Sequence, residues 1–387
     1  MSTELPAAAY SRKNPYPSRM LVNRRLTLDG SEKDTRHFEL ALAGSGYLYE
    51  CGDSLGVFPA NCPALVDDVI RALHATGDEI VPGNDGAPKP LRAALFSDYQ
   101  ITQQSKQFLA ALVEKDAEGF SLLKELLTPE RANDLEKFLW GMEIIDQLAD
   151  HPSVRFTPEE FVKLLRKLQP RLYSIASSRK AHPDEVHLTV APVRYESHGR
   201  ARKGVASTFL AERVSGDTRV PVFVHSAKGF RPPEDTNTPV IMVGPGTGVA
   251  PFRAYLQERR ITGARGKNWL FFGEQRRRTD FLYGDEFGAM QGDGLLTRFD
   301  TAFSRDQVEK IYVQHRMLEP ENAREIWKWI DTEGAHFFVC GDAERMAKDV
   351  DVALHKIIAG QGGKTPEQTA EYIEALKKAK RYKRDVY

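Results

Sequence analysis

The chain has 387 residues, which is enough for roughly two or three domains with a substantial core. Its 54 basic and 54 acidic side chains give a formal net charge of zero, so nothing indicates a nucleic-acid partner. Three cysteines without a C-x-x-C pair argue against a disulfide framework or a zinc ribbon, so we expect no metal and a cytoplasmic location. No apolar run approaches the ~18 residues of a membrane helix and no signal peptide is evident, so no membrane partner is expected.

The first part of the chain changes character twice. Residues 1–18, which are rich in proline, predict an extended N-terminal arm. Short β-like runs separated by turns over 19–61 predict strands of an antiparallel barrel. Residues 62–165 show helical periodicity, for example over Gln107–Leu127, and predict a helical connecting domain. Strands return over 166–232, so we expect a barrel that is interrupted by a helical insertion.

Residues 233–387 alternate between apolar runs and helical segments. Strands are predicted at Val240–Val243, Asn268–Phe272, Gly294–Phe299 and Ala335–Cys340. Strand–helix alternation of this kind predicts a doubly wound α/β domain with a parallel sheet.

A glycine-rich turn follows the first of these strands. Residues 244–248 (GPGTG) lead into a helix that is entered through Pro251. Glycines let a backbone approach a ligand closely, and a helix N-terminus offers free N–H groups to an anion. The spacing differs from the G-x-G-x-x-G dinucleotide fingerprint. The turn alone leaves two interpretations open: a phosphate site that includes Gly246 and Thr247, or a tight strand–helix connection without a ligand.

A second motif, residues 171–178 (RLYSIASS), is more specific. Alternate residues of a strand share a face, so Arg171 and Tyr173 lie on the same side. An arginine can neutralise a pyrophosphate, a tyrosine can stack on an isoalloxazine, and the Ser174 hydroxyl can donate or accept at the flavin edge. The alternative is a core strand with an arginine at its edge. Residues 204–208 (GVAST) open a predicted helix and form a second candidate anion site, so two phosphate-bearing cofactors are expected.

The ordered motifs RLYSIASS, GVAST, GPGTGVAPFR and CGDA resemble the diflavin-reductase branch of the ferredoxin–NADP reductase superfamily, from about Asn14 to Tyr387. Within that branch the chain resembles in particular the FAD/NADPH module of bacterial sulfite reductase flavoproteins. Residues 302–314 (AFSRDQVEKIYVQ) and 381–387 (RYKRDVY) carry this narrower resemblance. It implies an FAD-binding antiparallel barrel with a helical insertion, followed by a doubly wound NADP-binding domain over residues 233–387.

The resemblance also implies roles for individual residues. The implied FAD contacts are Thr102, Arg171, Leu172, Tyr173, Ser174, Thr189, Val190, Ala191, Tyr195, Gly204, Val205, Ala206 and Ser207. The implied NADPH contacts are Gly246, Thr247, Ser304, Arg305, Lys310, Ile311, Tyr312, Val313, Gln314 and Asp349. Ser174, Cys340 and Asp385 are implied to position hydride transfer, with Tyr387 covering the flavin. Independently, Arg305 and Lys310 with nearby hydroxyls have the chemistry that a 2′-phosphate requires.

The implied function is an oxidoreductase that takes electrons from NADPH and passes them to a redox protein acceptor. Relatives carry FMN on an N-terminal flavodoxin-like domain, whereas about 18 residues precede the barrel here, so FAD without FMN is expected. The acceptor is then a sulfite reductase haemoprotein, a flavodoxin or a ferredoxin. Two alternatives stay open: a general NADPH–flavodoxin/ferredoxin reductase, and a non-catalytic cofactor-binding subunit. Intact residues at Arg171, Ser174, Cys340, Asp385 and Tyr387 argue against the second.

Overall fold

The computed structural model describes residues 10–387, which form two compact units. Unit 1 comprises the residues up to Gly56 together with Leu172–Ala191 and Asp217–Tyr387. Unit 2 comprises Val57–Arg171 and Pro192–Gly216. The strands predicted for the barrel and for the nucleotide-binding domain thus fall largely within one unit. The predicted domain boundaries themselves stay a prediction.

The strands are β1 (Tyr16–Arg25), β2 (Arg36–Ala41), β3 (Ser54–Val57), β4 (Ile80–Pro82), β5 (Pro88–Pro90), β6 (Arg171–Ser174), β7 (Glu185–Val190), β8 (Arg194–Ser197), β9 (Arg200–Lys203), β10 (Arg219–His225), β11 (Val240–Val243), β12 (Asn268–Glu274), β13 (Arg298–Phe303), β14 (His336–Gly341) and β15 (Tyr382–Val386). The α-helices are α1 (Pro63–Ala72), α2 (Leu91–Ser97), α3 (Lys106–Lys115), α4 (Ser121–Leu126), α5 (Ala132–Leu139), α6 (Ile144–Asp150), α7 (Pro158–Leu164), α8 (Val205–Thr208), α9 (Ala250–Ile261), α10 (Arg277–Asp280), α11 (Gly284–Gly292), α12 (Val313–Met317), α13 (Pro320–Asp331), α14 (Met346–Gly362) and α15 (Pro366–Lys378).

Six strands form an antiparallel sheet in the order β6-β3-β10-β1-β2-β7. Ile175, the residue after β6, forms an antiparallel bridge with Leu188 of β7, so the two edge strands meet and the sheet closes. Phe38 and Leu40 of β2 are fully buried, as the alternation of a strand with one core face requires. The predicted antiparallel barrel is confirmed.

The N-terminal arm differs from the prediction where it is described. Residues 1–9 lie outside the described part of the chain, but β1 already begins at Tyr16, inside the predicted arm. Tyr16 pairs with Val222 of β10, and the buried Ser18 donates to the carbonyl oxygen of Ala41 over 2.8 Å. Pro17 lies opposite Pro221, and neither proline has an N–H that the ladder must satisfy. Strand pairing therefore extends through a proline-rich segment.

Five strands of unit 1 form a parallel sheet in the order β13-β12-β11-β14-β15. All residues of β11 are fully buried, as expected for a strand covered on both faces. The strand predicted at Gly294–Phe299 instead begins at Arg298, because Gly294 (φ 83°) belongs to the turn after α11. The edge strand β15 was not predicted because its residues are mostly charged. The predicted doubly wound domain is nevertheless confirmed.

Unit 2 is mainly helical, and its core gathers around Phe108 and Phe161, whose ring centroids lie 6.0 Å apart. The helical pattern over Gln107–Leu127 is carried by two helices: α3 ends at Lys115 and α4 begins at Ser121. Asp116 adopts a non-helical conformation, and its Oδ1 accepts from the N–H of Gly119 over 2.9 Å, which competes with helical pairing. The β8–β9 hairpin was also not predicted.

Within residues 10–387, no helix is both long enough and apolar enough to cross a bilayer.

Candidate functional site

The glycine-rich turn after β11 approaches the end of β14 too closely for a side chain. A Cβ atom on Gly248 would lie 2.1 Å from the carbonyl oxygen of Cys340, so only glycine fits there. Gly246 has a φ of 58°, a left-handed conformation that glycine adopts at little cost. α9 follows directly, so the turn offers bare backbone at the carboxyl ends of parallel strands, where doubly wound domains bind ligands.

Three of the predicted catalytic residues meet at the same sheet edge. Cys340 lies opposite Asp385 in the parallel register of β14 and β15. The hydroxyl of Ser174, at the end of β6, donates a hydrogen bond to Asp385 Oδ2 over 2.9 Å. Residues 171–178 (RLYSIASS) constitute the flavin-type motif. The hydrogen bond joins β6, the strand that begins this motif, to the edge of the parallel sheet.

Tyr387 connects this cluster to the glycine-rich turn. Its hydroxyl oxygen lies 3.0 Å from Thr247 Oγ1, and its backbone N–H donates to the carbonyl oxygen of Gly341 over 3.1 Å. The residue is nevertheless 57% exposed. Since one hydroxyl contact contributes only about 1 kcal/mol, the ring can be displaced at a small cost.

The thiol of Cys340 is fully buried beside the Asp385 carboxylate. Burial and then the negative charge of Asp385 raise the pKa of the thiol well above its ordinary value, and a hydrogen bond with Ser174 opposes the shift only in part. The thiol therefore stays neutral at neutral pH. A neutral, enclosed thiol is not suited to act as a nucleophile.

β6 carries the first four residues of the flavin-type motif. Arg171 and Leu172 are exposed, whereas Tyr173 and Ser174 are half-buried. The strand geometry places Arg171 and Tyr173 on one face. Their contacts with a cofactor stay a prediction.

The predicted FAD contacts on β7 are mostly turned to the protein interior. Thr189 and Val190 are buried, and Thr189 Oγ1 lies 2.7 Å from the hydroxyl oxygen of Tyr283. Ala191, the next residue, is exposed. A cofactor contact from this stretch would therefore come from its backbone or from Ala191.

In unit 2, Gly204 is the N-cap of α8 and residues 205–207 are the first residues of this short helix, so together they make the turn at its start. Ser207 Oγ accepts from the N–H of Val193 over 3.0 Å, and a Cβ on Gly204 would lie 2.8 Å from Val193 Cβ. Ala206 and Ser207 are buried, while Val205 is half-buried. Because the Ser207 side chain is engaged within the protein, the turn would offer a phosphate its backbone rather than its hydroxyl.

Arg213, which was not selected from the sequence, braces this turn. Its Nη2 donates to the carbonyl oxygens of Val205, over 2.9 Å, and Ala60, over 3.0 Å. Its Nη1 donates to Thr208 Oγ1 over 2.9 Å. Nothing in the sequence spacing separates this arginine from a solvated one, so only the fold reveals it.

The structure brings Thr102 to the GVAST segment. Thr102 and Val205 both line a cavity of about 180 Å³ in unit 2, whose wall also includes Arg202 and Lys203. Tyr195, which is 43% exposed on β8, does not line that cavity. The two predicted FAD contacts thus occupy different places in unit 2.

The predicted phosphate-binding pair follows β13. Backbone N–H groups of Ser304 and Arg305 donate to the carbonyl oxygens of Glu274, over 2.9 Å, and Gln275, over 2.8 Å, which continues the pairing with β12. The guanidinium of Arg305 forms an exposed ion pair with the carboxylate of Glu32. Glu32 was not foreseen, because a contact between positions so far apart leaves no local sequence signal.

The remaining predicted NADPH contacts lie at the start of α12. Lys310 and Tyr312 are exposed, whereas Ile311 and Val313 pack into the core. The amide Nε2 of Gln314 donates to Asp349 Oδ2 over 3.1 Å, which ties α12 to α14. Ile311 and Val313 thus hold the segment in place, while the polar side chains remain at the surface.

Comparison with known proteins agrees with this geometry. A family model described as "FAD binding domain" matches residues 8–209, more than half of the chain. The chain belongs to this family, within the diflavin-reductase branch of the ferredoxin–NADP reductase superfamily. A second model, "Oxidoreductase NAD-binding domain", matches residues 242–351. The predicted recognition, the oxidoreductase class and the two dinucleotide cofactors, FAD and a nicotinamide dinucleotide, are confirmed.

Curated relatives named "Sulfite reductase [NADPH] flavoprotein alpha-component" match along almost the whole chain. The protein from Bacillus subtilis is 47% identical over 381 residues, which is 98% of this chain and 62% of that protein. Those from Mannheimia succiniciproducens and Vibrio parahaemolyticus are 45% and 46% identical, with 62% and 59% of their lengths covered. The chain therefore spans less than two thirds of these relatives.

Proposed function

We propose that this chain is the NADPH-oxidising, FAD-containing module of a sulfite reductase flavoprotein, and that it passes electrons to a redox protein. The hydrogen bond between Ser174 and Asp385, beside Cys340, carries the proposal. It joins the strand of the flavin-type motif to the sheet edge where the glycine-rich turn lies. An arrangement that brings these two motifs together is suited to transfer between a flavin and a nicotinamide.

The residues present fit both cofactors. Arg171 and the backbone of residues 204–207 have the chemistry to hold an FAD pyrophosphate, and the bare backbone of residues 244–248 has that to hold a dinucleotide. Exposed aromatic rings at Tyr195 (43% exposed) and Tyr387 (57%) offer flat surfaces for ring stacking. When bound, the cofactor pair supplies hydride transfer and single-electron release, while the protein supplies position and electrostatics.

Each catalytic side chain has a distinct task. The Ser174 hydroxyl donates a hydrogen bond to Asp385, which fixes the hydroxyl rotor and leaves the lone pairs of the serine oxygen able to accept. The Asp385 carboxylate favours the positive charge of an oxidised nicotinamide. Cys340 contributes a compact neutral thiol that excludes water without adding charge.

We assign Tyr387 the role of a cover that leaves when a nicotinamide binds. Its hydroxyl oxygen lies 3.0 Å from Thr247 Oγ1 of the glycine-rich turn, so binding at that turn competes directly with this anchor. The same competition couples occupation of the turn to release of the ring.

The adenosine end of the nucleotide is assigned to the loop after β13. Arg305 and Lys310 supply the cations, and Ser304 and Tyr312 the hydroxyls, for a dianionic 2′-phosphate. Gln314 and Asp349, already bonded to each other, would contact the ribose and base. This grouping is the reason for assigning NADPH rather than NADH.

The acceptor is proposed to be the haemoprotein partner of sulfite reduction, with a flavodoxin or a ferredoxin as the other candidates. The names of the relatives place them in NADPH-dependent sulfite reduction, which supports the first choice. Residues 62–165 are proposed to act as the connecting domain. The cytoplasmic location stays a prediction.

The test begins with the visible spectrum of the purified chain and anaerobic addition of NADPH. Oxidised-flavin bands that bleach with NADPH, and release of FAD on denaturation, are expected. NADPH-dependent reduction is then measured with haemoprotein plus sulfite, with flavodoxin and with ferredoxin. Turnover with only a flavodoxin or ferredoxin would replace the sulfite assignment by a general reductase. A colourless protein that cannot be reconstituted would leave a non-catalytic subunit.

A further inference from the structure

Side chains of α9 form hydrogen bonds with the last residues of the flavin-type motif. The helix begins directly after the glycine-rich turn, and its residues 257 and 258 lie about one turn beyond residue 253. Arg253 Nη1 donates to the carbonyl oxygen of Ala176 over 2.8 Å. Ser178 donates from its N–H to Gln257 Oε1 over 3.0 Å and from its Oγ to Glu258 Oε2 over 2.5 Å. The helix that starts at one cofactor motif thus holds the chain that leaves the other.

Arg253 is a buried charged residue, with 8% of it exposed. Besides Ala176, its Nε donates to Glu286 Oε2 over 2.8 Å and its Nη1 approaches His187 Nδ1 at 3.2 Å. The guanidinium carbon lies 4.8 Å from the ring centroid of Tyr283. Burial of a charge is costly unless it is paired, and here the planar fork reaches several segments at once, which a lysine cannot do.

Tyr283, under the guanidinium, is itself fixed. Its hydroxyl oxygen lies 2.9 Å from His37 Nδ1 and 2.7 Å from Thr189 Oγ1, both on barrel strands. Its backbone is left-handed (φ 56°), a conformation that costs a non-glycine residue on the order of 1 kcal/mol and persists where surrounding contacts enforce it. A buried polar network centred on Arg253 therefore connects strands of the barrel to helix α9 of the α/β domain.

The histidines of this network are hydrogen-bonding members rather than metal ligands. The ligand atoms of His37, Glu39 and His187 lie within 4.8 Å of one another, a spacing that a metal could use. However, Arg253 donates to His187 Nδ1, so the neutral ring carries its proton on Nε2, which faces Glu185 Oε2 at 3.1 Å. The nitrogen that faces the carboxylates therefore has no lone pair to offer.

We propose that Arg253 is a positioning residue for hydride transfer, acting through the Ala176 carbonyl to set the place of Ser174 against Asp385; the inference rests on the proposed function. Ala176 is two residues from Ser174, and the intervening Ile175 is bridged to Leu188. The short segment is thus held on both sides, so movement of the Ala176 carbonyl displaces the serine. A misplacement of about 1 Å at a reacting centre can lower a rate about 100-fold.

The test compares Arg253→Lys and Arg253→Gln with the unaltered chain. Both variants are loaded with FAD, and anaerobic stopped-flow reduction is measured with NADPH and with NADPH deuterated at the transferred hydrogen. We expect FAD content and NADP⁺ affinity within about 2-fold of the unaltered chain and a reduction rate lower by about 10- to 100-fold. The deuterium effect on turnover should rise towards its full value, because hydride transfer then limits the rate.

Two further variants keep the result interpretable. Glu286→Gln leaves Arg253 in place but removes its charged anchor at Nε, and should give an intermediate rate even where removal of the arginine impairs folding. Arg260→Gln is the matched control, because Arg260 lies on the same helix, exposed and paired with Asp293 outside the network. It should behave as the unaltered chain does.

The outcomes separate the two levels of the proposal. Variants that are reduced as fast as the unaltered chain, or that lose rate and cofactor affinity together with an unchanged isotope effect, would overturn the positioning role alone. An unaltered, FAD-loaded chain that NADPH does not bleach would overturn the proposed function and this inference with it.

Discussion

The two ends of the proposed NADPH site in unit 1 are built differently. At the nicotinamide end, Cys340 is fully buried and Ser174 and Asp385 are bonded to each other. At the phosphate end, Arg305 and Lys310 are exposed, and the partner of Arg305 is the exposed carboxylate of Glu32. The first end fixes geometry by burial, whereas the second presents charge to solvent.

The difference follows from what each end must do. Transfer between two rings depends on sub-ångström placement, which buried hydrogen bonds supply. Recognition of a dianion depends on cationic side chains that can change partners, because the anion must enter and leave the site. Changes at the buried end should therefore alter rate constants, and changes at the exposed end should alter apparent affinity.

The largest effect is expected from Asp385→Ala. Removal of the carboxylate frees the Ser174 hydroxyl and removes the charge that favours an oxidised nicotinamide, so flavin reduction should slow on the order of 100-fold. The KM for NADPH should change by less than about 3-fold, because the groups that bind the nucleotide are untouched. Stopped-flow reduction and steady-state kinetics measure the two quantities. An effect confined to the KM would contradict the assignment. The reduction rate of Asp385→Asn should lie between those of the unaltered chain and Asp385→Ala.

Arg305→Ala should act on affinity instead. A charge-assisted hydrogen bond to phosphate contributes about 1.5–3 kcal/mol, so the KM for NADPH should rise about 10- to 100-fold while that for NADH changes little. The measurement is the ratio of kcat/KM for the two nucleotides. Equal losses with both would refute the 2′-phosphate assignment.

The sequence predicted some parts of the buried end and missed others. β11 was placed correctly because a strand buried on both faces is a continuous apolar run. The motif at Ser174 was found because its residues are contiguous. β15, which supplies Asp385, escaped the pattern analysis because an edge strand tolerates charged residues, and its role came only from the family resemblance.

Contacts between distant segments could not be predicted at all. Arg253 meets Ala176 across 77 positions and Arg305 meets Glu32 across 273, and neither pair leaves a local periodicity. The break in the helical stretch over Gln107–Leu127 was missed for the opposite reason. There a local signal, the Asp116–Gly119 turn, outweighed a helical apolar pattern.

Acid should destabilise the fold through His37 and His187, two buried histidines of the network around Arg253. Burial and then the charge of Arg253 lower the pKa of His37 to about 3 and of His187 to about 2, from about 6.5 in an unfolded chain. Below pH 6.5 the unfolded state therefore binds more protons, and stability should fall by about 1.4 kcal/mol per pH unit for each histidine down to the folded pKa.

His187→Asn should lower the slope of the unfolding free energy against pH by the contribution of about one proton, about 1.4 kcal/mol per pH unit. Denaturant unfolding at several pH values between 7 and 5 measures it, with near-ultraviolet circular dichroism as the signal. Thr189→Val is the matched control, since it deletes the hydrogen bond to Tyr283 and costs about 1 kcal/mol without removing a titrating group. An unchanged slope in the histidine variant would show that His187 is not held neutral by the fold.

The smallest effect is expected at the exposed end, from Glu32→Gln. The Glu32 carboxylate occupies the guanidinium that the 2′-phosphate is proposed to use, so nucleotide and glutamate compete for one cation. An exposed ion pair contributes about 0.2–1 kcal/mol, so its removal should lower the KM for NADPH by up to about 5-fold and leave the KM for NADH and the kcat unchanged.

The matched control is Glu309→Gln, in the loop between Arg305 and Lys310. It removes the same charge without the contact and separates competition from a general field effect. The gain should shrink as salt rises, because added ions screen both partners. A gain equal to that of Glu309→Gln would mean that the exposed end responds to net charge alone, and that its ion pair does not tune nucleotide choice.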